Sequence, residues 1–150
     1  MFSKIKLIRA NKNSVVSTII IYLLYLEKKY NSKFLSFLRS AVWQPTLCLN
    51  LKPSSFSLDS LLTLRLVHPH MIIINGGCNI GSNCTIYHDV TLGMIETKND
   101  KCPQIGNNVY LGCKCSVLGD VTVGDNTMIG AHALVLKSTP PNSTVTGLYR

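Results

Sequence analysis

The sequence contains no apolar run long enough to cross a lipid bilayer. Its main apolar run, VVSTIIIYLLYL at residues 15–26, is shorter than the roughly 20 apolar residues that a membrane-spanning helix needs. Basic residues precede this run, as in a signal peptide, but EKKYNSK follows it where a small-residue cleavage site would stand. We therefore predict neither a membrane-spanning helix nor a secretory signal.

Charged residues are scarce, and acidic residues are the scarcer kind. Only 15% of the 150 residues are charged and 46% are hydrophobic, which excludes a disordered chain. There are 15 Lys and Arg against 7 Asp and Glu, and the net charge of +8 lies within residues 1–52, because residues 53–150 are neutral. A basic segment beside a neutral domain predicts contact with a membrane surface, an acidic or lipid-linked sugar, or nucleic acid.

Residues 1–50, which hold most of this charge, form an N-terminal segment that we predict to be helical. Apolar residues recur at helical spacing over 15–30 and about 32–43. We expect the helices to pack an apolar face onto the rest of the chain or onto a partner subunit. A helix lying on a membrane surface is the alternative. The predicted apolar face consists of Ile19, Ile20, Leu23, Leu24, Phe34, Leu38 and Trp43.

From residue 74 onward the sequence repeats every six residues, with one interruption. A helix does not carry this period with so many glycines, whereas a short strand followed by a turn does. The pattern is that of hexapeptide β-helix repeats, which are stable only when stacked. The aliphatic positions are Ile74, Ile80, Ile86, Leu92, Ile105, Leu111, Val117, Val123, Ile129 and Val135. Small or β-branched residues follow four positions later, at Cys78, Cys84, Val90, Val109, Cys115, Val121, Thr127, Ala133 and Thr139.

The six cysteines do not form a metal-binding set. Three of them fall in the column of small residues, where they pack as small apolar groups. Cys113 and Cys115 stand at different places in one repeat, and no second Cys or His pair completes a zinc site. We therefore predict no metal, and this use of cysteine is typical of a reducing cytoplasm.

Residues 68–148 resemble the hexapeptide-repeat acyltransferases. The likeness rests on IxxxVTLG, the loop after Leu92-Gly93, the restart P-x-I-G and the closing VLKxxPPNxTVxG. The most similar branch contains the serine acetyltransferases and the O-acetyltransferases of capsule, colanic acid and lipopolysaccharide gene clusters. The resemblance implies a mainly β fold: a single-stranded left-handed β-helix over residues 51–150, after the helical segment. It also implies a homotrimer with active sites between subunits.

The resemblance assigns His68 as the catalytic general base. In the family, the histidine six residues before the first regular repeat aliphatic, here Ile74, takes this role. A neutral imidazole can remove the proton of an acceptor hydroxyl as the oxygen attacks a thioester carbonyl. The other three histidines, His70, His88 and His132, are interpreted as having no catalytic role, with His88 and His132 at the surface.

Several positions depart from the serine acetyltransferase pattern. Cys102 stands where the loop has a histidine, and Val67 stands where an aspartate precedes the base, so two groups that would hold serine are missing. We assign Cys102 to the acceptor-binding site. Met71 replaces a glycine, and residues 51–67 lack the glycine-bearing coil whose aspartate orients the base, Asp59 being the only carboxylate nearby.

Acetyl-CoA is the co-substrate that the resemblance implies, lying along the groove of the coil. The family binds it through backbone amides and small residues at coil corners, together with a basic side chain. The positions that match here are Gly112, Cys113, Ala131 and Lys137.

Together these features predict an acetyl-CoA-dependent O-acetyltransferase that modifies a sugar hydroxyl of a surface polysaccharide or its precursor. We expect a cytoplasmic homotrimer in peripheral contact with the inner membrane, with no nucleic-acid partner. A serine O-acetyltransferase of cysteine biosynthesis is one alternative, and a degenerate, non-catalytic trimer is another. A β-helix carbonic anhydrase is set aside because His68, His88 and His132 do not share a repeat position.

Overall fold

Three parallel sheets, wound in turn by one chain, make up most of the protein. The structure is a computed structural model that describes residues 2–43, 47–96 and 100–150. Its coils form the predicted left-handed β-helix, preceded by short helices. Face 1 contains β1 (Asn50–Leu51), β3 (Ile73–Ile74), β6 (Thr91–Gly93), β9 (Ser116–Leu118), β12 (Leu134–Val135) and β14 (Leu148–Tyr149). Face 2 contains β4 (Asn79–Ile80), β7 (Gln104–Ile105) and β10 (Thr122–Val123). Face 3 contains β2 (Arg65–Leu66), β5 (Thr85–Ile86), β8 (Tyr110–Leu111), β11 (Met128–Ile129) and β13 (Thr144–Val145).

The core consists of the predicted columns. Strands pair in register from coil to coil, so that Ile74 lies beside Leu92 and Ile86 beside Leu111. All the predicted aliphatic residues and all the small residues four positions later are buried, which confirms the six-residue period. Burial raises the pKa of Cys115 to about 12, so this interior thiol stays protonated and packs as an apolar group.

The edge between faces 2 and 3 shows why the repeats turn where they do. Asn108 and Asn126 adopt left-handed backbone conformations there, which asparagine tolerates well. The side-chain amide of Asn108 donates to that of Asn126 over 3.0 Å, and Asn126 donates in the same way to Asn142. A Cβ at Gly124 would collide with the backbone nitrogen of Pro141, so only glycine allows the coils to approach this closely.

Among the described residues, α1 (Phe2–Ala10), α2 (Val15–Tyr30) and α3 (Lys33–Leu38) precede the coils, and α3 continues as a π-helical turn, Arg39–Trp43. The predicted helix at 15–30 is confirmed. Ile20 and Leu24 are buried as expected, whereas Ile19 and Phe34 are 52% and 67% exposed in the single chain, so for these two only the predicted packing onto a partner subunit stays a prediction. The side chain of Trp43 lies outside the described residues.

The helices pack on the first coil, which is the least regular one. Between Leu51 and Leu66 the chain forms a 3₁₀ turn, Pro53–Ser55, and helix α4 (Leu58–Thr63), with only an isolated bridge from Phe56 to Ile80 on face 2. Helices and coils bury one continuous apolar cluster. The boundary between residues 50 and 51 as a domain border stays a prediction. No helix in the described ranges is long and apolar enough to cross a membrane.

Candidate active site

His68 lies on the edge between faces 3 and 1, in a corner that is longer than the others. Leu66 stacks beside Ile86, and the next interior residue on face 1 is Ile74. The step from Leu66 to Ile74 is therefore eight residues, so the six-residue period does not extend back to His68. The extra length forms the corner 67–71, in which His68 has a left-handed φ of 53°.

Pro69 sets the shape of this corner. The backbone N–H of His70 donates to the carbonyl of His68 over 2.8 Å, which closes a three-residue turn around Pro69. The ring nitrogen Nδ1 of His70 also lies 3.0 Å from that carbonyl oxygen. Because a carbonyl can only accept, Nδ1 carries the proton, and Nε2 of a neutral His70 is left with a free lone pair.

Three histidines, His68, His70 and His88, meet on this edge and form what we call the histidine cluster. The rings of His70 and His88 are parallel, with centroids 5.1 Å apart, and His68 meets His88 edge-on at 6.1 Å. The interpretation of His88 as a surface residue was wrong: it is half-buried, and its Nδ1 is buried without a hydrogen-bond partner. His132 is exposed, as predicted.

The same edge carries two of the four residues matched to acetyl-CoA binding. The N–H of Lys114 donates to the carbonyl of His88, and the N–H of His132 donates to that of Cys113. These bonds place Cys113 and Ala131 one and two coils beyond His88 at equivalent corners. The backbone N–H groups of Cys113 and Ala131 find no acceptor among the described residues, so they can donate to a ligand.

Gly112 has a different position from these two corner residues. Its N–H already donates to the carbonyl of Ile129 over 2.8 Å. A Cβ at this position would stand 2.7 Å from the backbone nitrogen of Ala131. Gly112 therefore allows close stacking of the coils that present the free N–H groups.

Cys102 and Lys137 lie on another edge, between faces 1 and 2. Cys102 is buried, with its sulfur 2.9 Å from where a Cβ of Gly77 would stand. Burial, with Cys102 as its neighbour, raises the pKa of Cys78 to about 12. Lys137 is exposed on the last coil. One copy of the chain therefore places these two residues on a different edge from His68.

A cavity of about 600 Å³ opens beside the histidine cluster. Its walls are the connection between α1 and α2, strand β2 and the corner that holds His68. Lys12 and Arg65 line it together with all three clustered histidines. Sequence reasoning missed both cations as site residues, because only the fold brings residues 12 and 65 to one place.

No carboxylate in the described ranges hydrogen-bonds to the ring of His68. Asp59 is exposed in the first turn of α4 and does not line the cavity. The ring of His68 instead meets that of His88 and shares the cavity lining with His70, Lys12 and Arg65. The described residues also contain no group of three side chains able to hold a metal ion.

Comparison with known proteins gives consistent matches. Residues 102–137 match the family described as bacterial transferase hexapeptide (six repeats). A serine acetyltransferase of Staphylococcus xylosus is 35% identical over 140 residues, which is 93% of this chain and 62% of the relative. A putative colanic acid biosynthesis acetyltransferase of Escherichia coli is 42% identical over 80 residues, covering 53% of this chain and 49% of the relative.

A solved structure shows the same architecture. The serine acetyltransferase of Brucella abortus in complex with coenzyme A superposes with a TM-score of 0.68 at 29% identity, covering 83% of this chain and 49% of that one. This chain thus spans about half to two thirds of the length of the proteins it matches. From the stacked six-residue repeats and these matches, we conclude that residues 102–137 belong to the hexapeptide-repeat transferase family and that the chain as a whole is similar to its serine acetyltransferases.

Proposed function

We propose that the protein transfers an acetyl group from acetyl-CoA to a hydroxyl group of an acceptor, with His68 as general base. One observation carries the proposal. The histidine cluster stands beside a cavity of about 600 Å³, on the same edge as the free backbone N–H groups of Cys113 and Ala131. A single edge thus carries a histidine that can take a proton, a cavity for the substrate that is acetylated, and backbone N–H groups that can bind acetyl-CoA.

The reaction follows from the chemistry of a thioester. The acceptor oxygen attacks the acetyl carbonyl carbon while the imidazole of His68 takes the hydroxyl proton. The tetrahedral intermediate collapses with cleavage of the carbon–sulfur bond, and the protonated imidazole returns its proton to the leaving thiolate of CoA. Backbone N–H groups at the corners are suited to donate to the carrier and to the developing oxyanion.

The acceptor that we favour is a sugar hydroxyl of a surface polysaccharide or its precursor. Val67 and Cys102 stand where the serine acetyltransferase pattern has side chains that would hold serine, and the burial of Cys102 leaves its thiol poorly placed to replace one. The similarity to the colanic acid acetyltransferase supports the same acceptor class. The similarity to serine acetyltransferases supports serine as the second candidate.

The site that we propose is completed by a second copy in a homotrimer. Lys137 is exposed on a different edge from His68, so it can reach the histidine cluster only from a neighbouring copy, whereas Cys102, on the same edge as Lys137, is buried. Peripheral contact with an anionic inner membrane surface is a further part of the proposal, with the protein in the cytoplasm. Its support is the +8 charge of residues 1–52 beside exposed apolar side chains such as Ile19 and Phe34.

The test is mass-spectrometric detection of acetylated product, which avoids thiol reagents that six cysteines would confuse. The protein and acetyl-CoA are offered de-O-acetylated surface polysaccharide and, separately, serine. His68→Ala should lower the rate by about 100-fold or more. His132→Ala is the matched control, because it removes an exposed histidine from the same edge. His70→Ala tests whether the free Nε2 of His70 is the base instead.

The outcomes separate the candidates. Acetylated polysaccharide that disappears in His68→Ala supports the sugar acetyltransferase, and acetylserine supports the second candidate. Transfer to neither acceptor, with no binding of CoA, supports the degenerate, non-catalytic trimer. Met71 and the irregular first coil are the features that favour this alternative. Equal losses in His68→Ala and His132→Ala would contradict the role of His68.

A further inference from the structure

We infer that the cavity beside the histidine cluster binds an anionic group of the acceptor, a carboxylate or a phosphate, through Arg65 and Lys12. This inference rests on the proposed function for the view that the cavity is an acceptor site. It adds the chemical class of the acceptor, and it assigns binding roles to two residues.

The charge of the cavity lining has one sign. Its ionisable residues are Lys12, Arg65 and the three clustered histidines, and all of these are basic. The two ion pairs of the described residues lie elsewhere, between Glu27 and Arg39 and between Lys101 and Asp120. A partly enclosed cavity with cationic walls concentrates anions, because the field is stronger where water is limited.

Two buried nitrogen atoms in the cavity lining lack hydrogen-bond partners. These are Nε of Arg65 and Nδ1 of His88; each is hidden from solvent, so a ligand in the cavity reaches it only when the side chain turns outward. A guanidinium only donates, and leaving a buried donor unsatisfied destabilises the protein, so such a group normally has an acceptor. Carboxylate and phosphate oxygens are the acceptors that arginine binds best, through short charge-assisted hydrogen bonds.

The cationic groups are held on rigid backbone. Arg65 lies in β2, and its N–H donates to the carbonyl of Cys84 over 2.9 Å. Lys12 precedes Asn13, whose side chain donates to the carbonyl of Leu64 and accepts from the N–H of Leu66. The connection that carries Lys12 is thereby tied to the strand that carries Arg65. The backbone that carries the two cations is therefore ordered before an anion binds, and only their side chains remain to be ordered on binding.

The spacing suits a charged sugar. Arg65 stands three residues before His68, and both line one cavity of about 600 Å³, a volume in the usual range for small-molecule sites. An acceptor held by its anionic group at Arg65 can therefore present a hydroxyl to the histidine cluster. Sugar acids and sugar phosphates carry both groups in one ring-sized molecule, whereas a neutral sugar leaves the two cations unpaired.

The kinetic test compares three acceptors of one ring type: methyl galactoside, galacturonic acid and galactose 1-phosphate. Initial rates of acetyl transfer should favour one or both charged acceptors. Arg65→Gln should raise KM for the charged acceptor by about tenfold and leave kcat unchanged, since the lost contact is a charge-assisted hydrogen bond. Lys12→Gln should have a smaller effect in the same direction, and Lys33→Gln, which removes a charge outside the cavity, should have none.

A binding measurement separates this inference from the proposed reaction. Ligand-observed NMR reports binding of the same three sugars to the wild-type protein, His68→Ala and Arg65→Gln, without any turnover. Binding of a charged sugar to the first two and its loss in Arg65→Gln supports the anion site, even where no acetyl is transferred. Comparison of the binding of galacturonic acid with that of galactose 1-phosphate identifies whether a carboxylate or a phosphate is preferred.

Three results would overturn the inference: no binding of either charged sugar, equal binding of the neutral sugar, or unchanged binding in Arg65→Gln. A purely structural role, such as covering the nearby Tyr110, would change the unfolding free energy of Arg65→Gln without changing acceptor preference. Urea unfolding of each variant is therefore measured alongside binding.

Discussion

At the scale of single residues, backbone conformation marks the positions where the repeat tolerates an unusual side chain. Along the edge between faces 3 and 1, Met71, Asp89, Lys114 and His132 all have φ near +60°. A residue other than glycine loses about 1–2 kcal/mol in this left-handed region, and a methionine cannot recover any of it through a short polar side chain. The corner that follows His68 thus stores local strain at Met71.

Met71→Gly should raise the free energy of unfolding by up to about 1 kcal/mol, because relief of the left-handed strain exceeds the extra entropy of glycine in the unfolded chain. Met128→Gly is the matched control, since both methionines are 48% exposed but Met128 lies in β11, where glycine should lower stability by about 1 kcal/mol. Urea unfolding measures both. Similar losses in the two variants would mean that Met71 is not strained.

At the scale of elements, a few buried polar contacts attach the helices to the first coil. The side chain of Asn13 donates to the carbonyls of Ile8 and Leu64 and accepts from the N–H of Leu66. Ser17 in α2 donates to the carbonyl of Leu66 over 2.9 Å. These bonds orient the connection that carries Lys12 against the strand that leads to His68.

Asn13→Ala should lower the free energy of unfolding by about 2–3 kcal/mol, because it leaves several buried backbone groups without partners. Asn11→Ala removes one partly buried bond, to the carbonyl of Leu62, and should lower it by about 1 kcal/mol or less. Urea unfolding compares the two variants. Faster hydrogen exchange at the amide of Leu66 in Asn13→Ala alone would locate the effect, and equal stabilities would refute the anchoring role.

At the scale of the whole molecule, the faces differ in polarity. Ile73 and Leu148 on face 1 are 47% and 56% exposed, whereas the strands of face 2 present Asn79, Gln104 and Thr122. Exposed apolar side chains along one face of a β-helix indicate a contact surface. Face 1 is therefore where we expect copies of the chain to meet.

Sedimentation equilibrium should give three times the chain mass of 16.6 kDa for the wild-type protein. The double substitution Ile73→Glu with Leu148→Glu should lower this mass towards that of a single chain, since it places like charges in the expected contact. Thr122→Glu adds a charge to face 2 and should leave the mass unchanged. A wild-type monomer would contradict the homotrimer, and dissociation by Thr122→Glu would place the contact on another face.

The sequence predicted the interior residues of the regular coils well, but it did not predict the structure of the region around His68. The period of six identified interior positions correctly from Ile74 to Thr139, except in the interruption, which buries Cys102, because the burial of alternate strand residues is repeated locally along the chain. The same periodicity failed ahead of Ile74, where a longer corner and an inserted helix replace the regular unit. The pattern of α2 also did not select which side packs on the coils: α2 is apolar on more than one side, and Ile20 and Leu24 are buried in the single chain while Ile19 is exposed.

The sequence by itself determined the stacked repeats, their interior columns and His68 as a candidate base. Only the tertiary structure decided that His88 stacks on His70 and that Lys12 and Arg65 line one cavity. It also decided that Cys102 lies on another edge than His68. The physical reason is that a sequence period specifies which side chains point inward. Contacts between outward side chains depend instead on the lengths of the corners and on how the helices dock. Neither of these produces a periodic pattern in the sequence.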